Sequence, residues 1–215
     1  MIYKIIASGS SGNALLLADK VLIDCGVPYK RLKGERFSLV LLTHEHRDHF
    51  MEATVRRLSN ERPMLRFAAP AYLVPLLWKA GVKDNRIDLV TTEKLLRYKD
   101  ITVQAFDLEH DVPNVGYITN IGGETAFYAT DTGYLSHLHQ DMCGLDYYFI
   151  EANYNAERLY QSEKAKLDAG EYAYESRVRQ THLSDDQAVD FLKKNARPDS
   201  VIEYMHRHAI EEQDE

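Results

Sequence analysis

Four side chains able to ligate a metal fall within six residues of Thr43-His44-Glu45-His46-Arg47-Asp48-His49, namely His44, His46, Asp48 and His49. Neutral imidazole nitrogens and carboxylate oxygens are the donors that zinc and similar divalent ions take at about 2.0–2.2 Å. In an extended segment His44 and His46 point to the same side and can grip one ion. If the chain then turns into a helix, Asp48 and His49 can face a second ion close by. A lone histidine is usually an ordinary surface or core residue. Four donors at this spacing, on a loop leaving an apolar run, point to metal. Further donors follow at the ends of later apolar runs: His110, Asp131 in Ala129-Thr130-Asp131-Thr132-Gly133, and His206. Together these complete two sites. Two cations a few ångströms apart can hold both oxygens of a displacement and bring the pKa of a bridging water towards neutrality. The nucleophile is then a metal-bridged hydroxide.

Such a site needs strand ends gathered on one edge. Apolar runs predict strands over 3–7, 14–18, 21–23, 38–42, 64–68, 94–98, 101–106, 115–120, 125–129, 147–151 and 201–205. Helical spacing predicts helices over 50–58, 72–79, 156–169 and 185–195. Ser184 has the side chain of a good N-cap, and Gln187 lies three residues on, as a capping box requires. Strand-rich halves, each ending in helices, predict an α/β (α+β) architecture of two sheets face to face with helices outside. One domain over 1–210 accommodates all of this, followed by an acidic tail, 211–215, expected to be disordered.

At 45% hydrophobic and 27% charged, the 215 residues match a globular protein with a sizeable core. A formal charge of −7 argues against coating long nucleic acid through a broad basic surface. It does not exclude a nuclease, because bound dications and local arginine pairs such as Arg56-Arg57 and Arg177/Arg179 can reverse the sign where it matters. Cys25 and Cys143 are too few for a disulfide framework and read as reduced thiols. The N-terminus lacks the pattern of a signal peptide, and no run approaches a membrane span. A cytoplasmic enzyme without membrane partners is therefore expected, with a homodimer as one allowed assembly.

In order along the chain, these residues resemble the five motifs of the metallo-β-lactamase superfamily, which implies a four-layer αββα sandwich. Asp24, in Leu22-Ile23-Asp24-Cys25-Gly26, matches the first-motif residue that orients the histidine loop. His44 to His49 match the second motif, His110 the third, Asp131 the fourth-motif bridging carboxylate, and His206 the fifth. The resemblance implies one metal site of His44, His46, His110 and Asp131, and another of Asp48, His49, Asp131 and His206. Zinc is the implied metal, with manganese as the alternative. The fifth segment reads Met205-His206-Arg207-His208 where the family usually has His-Leu-Ser, so His208 is an alternative ligand to His206.

Within that superfamily, the chain more closely resembles the YycJ/WalJ subfamily, over nearly its whole length. Matching segments include Ser8-Gly9-Ser10-Ser11-Gly12-Asn13, Ala129 to Tyr134, and Glu151-Ala152-Asn153-Tyr154. Thr181-His182-Leu183-Ser184 resembles that subfamily's Gly-His-Leu-Ser-Asn element and the His-Ser-Thr element of tRNase Z, which implies His182 as general acid rather than ligand. Asp48 and Asp131 would orient the hydroxide. The implied activity is hydrolysis of a phosphodiester, in nucleic acid or in a small cyclic nucleotide such as the phage anti-Pycsar enzymes cleave. The alternatives are a glyoxalase II or lactonase type of ester or thioester hydrolase, and a non-catalytic metal-binding regulator. A β-lactamase is disfavoured, since those enzymes generally carry Cys where Asp131 stands.

Overall fold

The computed structural model of the protein describes residues 1–135 and 142–207. His208 and the acidic stretch 211–215 lie outside the described residues. The chain divides into two compact units, Met1–Phe106 and Asp107–Glu215.

The first unit carries a mixed six-stranded sheet of β1 (Tyr3–Ala7), β2 (Ala14–Leu17), β3 (Val21–Ile23), β4 (Leu39–Leu41), β5 (Arg66–Pro70) and β6 (Ile87–Val90), in that spatial order. Strands β2, β3 and β4 are buried at every position. Unbroken apolar runs such as Leu15-Leu16-Leu17 suit strands covered on both faces. Helix α1 (Glu52–Glu61) follows β4, and α2 (Val74–Lys79) follows β5. The helix expected over 72–79 begins as a 3-10 turn, Ala71–Leu73. The α-helix proper starts at Val74 with proline in its first turn, where the missing N–H would have had no partner. The strand expected over 64–68 lies slightly later, at Arg66–Pro70.

A second mixed sheet has the order β12-β11-β10-β9-β8-β7, formed by β7 (Leu96–Arg97), β8 (Ile101–Leu108), β9 (Asn114–Ile121), β10 (Glu124–Ala129), β11 (Tyr147–Glu151) and β12 (Val201–Met205). The strand expected over 94–98 is thus only two residues long. Gly122 and Gly123, at φ 63° and 97°, turn β9 back onto β10, a two-residue hairpin that demands positive φ at both positions. Strands β10, β11 and β12 run parallel, with Ala129 beside Ile150 and Glu151 beside Met205. Helices α3 (Ala156–Asp168), α4 (Glu175–Thr181) and α5 (Asp185–Asn195) belong to the second unit. The capping box of Ser184 and Gln187 forms as expected. Cys25 and Cys143 are both free. Among the described residues, no helix is long and apolar enough to cross a membrane.

Candidate metal centre

In the first unit, β4 runs into the histidine loop, and neighbouring backbone clamps that loop from both sides. Asp48 O accepts from Asn13 N at 2.6 Å, and His49 O accepts from Cys25 N at 3.0 Å. A Cβ at Gly26 would lie 1.7 Å from Asp48 O, so only glycine permits this approach. Asp24 is fully buried, and its carboxylate accepts from Thr43 N at 3.0 Å and meets His49 Nδ1 at 2.7 Å. A carboxylate can only accept, so the imidazole proton sits on Nδ1 and the Nε2 lone pair is left for a ligand role. The amide nitrogen of Asn13 lies 2.8 Å from that Nε2 and 3.4 Å from Asp48 Oδ2. A partial positive charge thus occupies the point on which two ligand-type atoms converge. The His44 ring lies 4.8 Å from that of His46 and 4.2 Å from that of His49. Asp48 and His49 sit in a tight turn closed by His49 N to His46 O at 2.9 Å. Helix α1 starts only at Glu52, so these two residues precede the helix rather than beginning it.

In the second unit, the C-terminal ends of three adjacent parallel strands supply the donors. Glu151 ends β11, while Asp131 and His206 lie just beyond β10 and β12. Asp131 and His206 both have left-handed backbones, at φ 58° and 54°. Asn114 Nδ2 donates to Asp131 O at 2.7 Å, and Asn153 Nδ2 donates to His206 O at 2.7 Å. Each strained turn is therefore held by an asparagine. His110 Nδ1 lies 3.1 Å from Thr181 O, a partner that can only accept, which again turns Nε2 outward. Glu151 is fully buried and accepts from Thr132 N at 3.1 Å and Leu183 N at 3.3 Å. Its other oxygen meets His182 Nδ1 at 2.6 Å. Burial works to raise the Glu151 pKa, but hydrogen bonds from His182 and His206 outweigh it and hold the carboxyl below its ordinary range. For His182, burial works against the charged form, and the Glu151 carboxylate outweighs it, so the imidazole pKa is raised. A Cβ at Gly133 would meet Gln180 O at 2.2 Å, so the loop after Asp131 lies directly on the residues before His182.

Distances separate pairs that could share a metal ion from pairs that are hydrogen-bonded. Asp131, Glu151, His182 and His206 each offer one donor atom within 4.8 Å of the others. With bonds of about 2.1 Å, two ligands of a tetrahedral ion stand roughly 3.4 Å apart. Asp131 Oδ1 and His206 Nε2 are 3.4 Å apart, and Asp48 Oδ2 and His49 Nε2 are 3.7 Å apart. Both pairs fit shared coordination. His182 and Glu151, at 2.6 Å, are too close for co-ligands and form a charge-assisted hydrogen bond instead. The donor set therefore suits divalent metal. Glu151, Asn13, Asn114 and Asn153 escaped the sequence reading of individual sites. Glu151, Asn13 and Asn153 fell within the matching segments without being given a role, and Asn114 left no trace.

Residues 19–203 match the β-lactamase superfamily domain. The chain belongs to this superfamily, the metallo-β-lactamase class. Within it, the exodeoxyribonuclease WalJ of Streptococcus pneumoniae is 30% identical over 207 residues, covering 85% of this chain and 70% of that protein. Among solved structures, the short form of human tRNase Z superposes with a TM-score of 0.71 at 16% identity, covering 97% of this chain and 93% of the other. Zinc-bound PqqB from Methylobacterium extorquens gives a TM-score of 0.69 at 12% identity, covering 97% and 89%. The fold is the metallo-β-lactamase α/β sandwich, two mixed sheets flanked by helices, as the strand and helix pattern implied.

Proposed function

We propose that residues 1–210 act as one dinuclear-metal phosphodiesterase domain that cleaves nucleic acid, in the manner of the WalJ relative. His44, His46, His110 and Asp131 would hold one divalent ion, and Asp48, His49, Asp131 and His206 the other. Zinc best suits this mixture of imidazole and carboxylate, with manganese as the alternative. Bound ions would supply Lewis-acid stabilisation of charge building on the phosphate, and a water acidified towards neutrality. The chain's own residues do the rest. Asp24 and the Thr181 carbonyl fix the tautomers of His49 and His110, presenting Nε2 as the donor. Asp48 and Asp131 orient the attacking water. His182 holds a proton on its ring and gives it to the departing alkoxide, while Glu151 sustains the imidazolium.

The observation that carries this reading is the 2.6 Å pair of His182 and Glu151, beside Asp131 but too short for shared coordination. An acid at that place serves a leaving group with a high pKa, as the alkoxide of a nucleic acid is. The test is a substrate panel on metal-loaded protein: single- and double-stranded DNA, RNA, cyclic mononucleotides, a nitrophenyl phosphodiester, a lactone, a thioester and a β-lactam. Nucleic acid is expected to be cleaved and the β-lactam left intact. Faster turnover of the lactone or thioester than of any phosphodiester would overturn the assignment.

A further inference from the structure

Asn13 is fully buried between the loop after β1 and the histidine loop, and its backbone is tied in place. Its N–H donates to Asp48 O at 2.6 Å, and its carbonyl accepts from Gly26 N at 3.1 Å. The side-chain amide has one sensible orientation. Its Oδ1 accepts from Gly9 N at 2.8 Å and its Nδ2 donates to Gly9 O at 3.1 Å. Turning the amide over would set donor against donor and acceptor against acceptor. Nδ2 carries a second hydrogen, and three acceptors lie near it: His49 Nε2 at 2.8 Å, Asp48 O at 3.3 Å and Asp48 Oδ2 at 3.4 Å. His49 Nε2 is the nearest of the three. Because His49 keeps its proton on Nδ1, towards Asp24, Nε2 offers one lone pair in the plane of the ring. That lone pair can accept the Asn13 hydrogen or bind a cation, but not both.

We propose that Asn13 is a reversible placeholder for the ion at His49: its amide holds the His49 lone pair until a metal displaces it, and then gives its hydrogen to Asp48. This rests on the dinuclear reading above and adds how one of the two sites is loaded and emptied. A buried donor left without a partner costs more than its bond contributes. Here the displaced hydrogen has Asp48 O and Oδ2 beside it, and the fixed backbone lets the amide turn without moving the loop. The histidine loop therefore keeps its shape as the metal comes and goes. The cost falls on affinity, which is weakened by what one neutral hydrogen bond contributes, roughly 2- to 13-fold. An asparagine that only braced Gly9 and Asp48 would be indifferent to metal.

The test is a zinc titration of the full, metal-stripped chain, with the His49 ring nitrogens and the Asn13 side-chain amide followed by NMR. Both are expected to move at the same step, His49 Nε2 because it gains the metal and Asn13 because its hydrogen changes acceptor. Asn13→Ala should bind the ion at His49 roughly 2- to 13-fold tighter. Before zinc is added, its Nε2 resonance should already differ from that of the wild type. Movement of His49 beside an Asn13 amide that stays still would overturn the placeholder and leave the metal site standing. Equal or weaker affinity in a folded Asn13→Ala would do the same. Should that variant fail to fold, the wild-type titration decides by itself. No movement at either residue would remove the metal site at His49, and the placeholder with it.

Discussion

Replacing Glu151 with glutamine isolates the proposed acid from the metals. The swap keeps volume and keeps one carbonyl oxygen, which can still accept from Thr132 N and Leu183 N. What changes is the atom facing His182 Nδ1: an ionised acceptor at 2.6 Å becomes neutral or turns into a donor. Hydrogen bonds to charged groups contribute about 1.5–3 kcal/mol, and neutral ones about 0.5–1.5 kcal/mol. The imidazolium should therefore lose roughly 1–2 kcal/mol of support, or about 5- to 30-fold in the proton-transfer step. His182→Ala removes the acid itself and should lose roughly 10²–10⁴-fold. In the double variant the Glu151→Gln loss should vanish, since no imidazole remains to support. Rates would be measured on an oligonucleotide and on a nitrophenyl phosphodiester, whose leaving group needs no proton, with metal content measured in parallel. Losses should appear on the oligonucleotide and shrink on the nitrophenyl ester, with metal retained. Equal losses on both substrates, or metal lost from Glu151→Gln, would mean that the pair holds structure or coordinates an ion.

Metal analysis should give close to two divalent ions per chain, and Asp131→Ala should lose more than one site's worth, because the proposed carboxylate bridges both; one ion or none in carefully loaded wild type would refute the dinuclear centre. His206→Ala should lower metal content or activity by orders of magnitude and His208→Ala only mildly, and the reverse ranking would place the ligand two residues later. Gly26→Ala would drive a Cβ into the Asp48 carbonyl, now 1.7 Å from that position. With overpacking costing about 1–3 kcal/mol or more, calorimetry should show Tm lowered by roughly 2–12 °C, and metal affinity should fall with it; an unchanged Tm would show that the histidine loop is not clamped there.

The histidine loop was legible as a candidate site because its donors are local: four of them fall within six residues whatever the rest of the chain does. The buried strands β2 and β3, which pair antiparallel, and the α5 capping box were legible for the same reason, each written in contiguous residues. Helix α4 was not. Its buried positions are Glu175, Val178 and Thr181, so polar side chains occupy its inward face and no apolar period marks it. Glu175 lies there because Ser162 and Lys166 of α3 bind its carboxylate, a choice of partners spread along the chain. Strand β6, Ile-Asp-Leu-Val, hid for a related reason, its aspartate answering Arg66 of β5. Asn13 and Asn153 share this character. An asparagine in a turn looks alike in sequence whether it faces water or holds a histidine 36 or 53 residues away.

Asp131 and His206 leave their strands through the left-handed region, a backbone that disfavours L-side chains by roughly 1–2 kcal/mol each. Glycine would relax both corners, so at these two positions the residue that folds best is one that cannot bind metal. Selection for durability alone would drift towards glycine there, and the proposed ligands would be the first things surrendered. The same asymmetry gives a practical guide for engineering. Ranking substitutions by thermal tolerance would steer a stabilisation campaign straight into the site, so both positions should be held fixed before any such search begins.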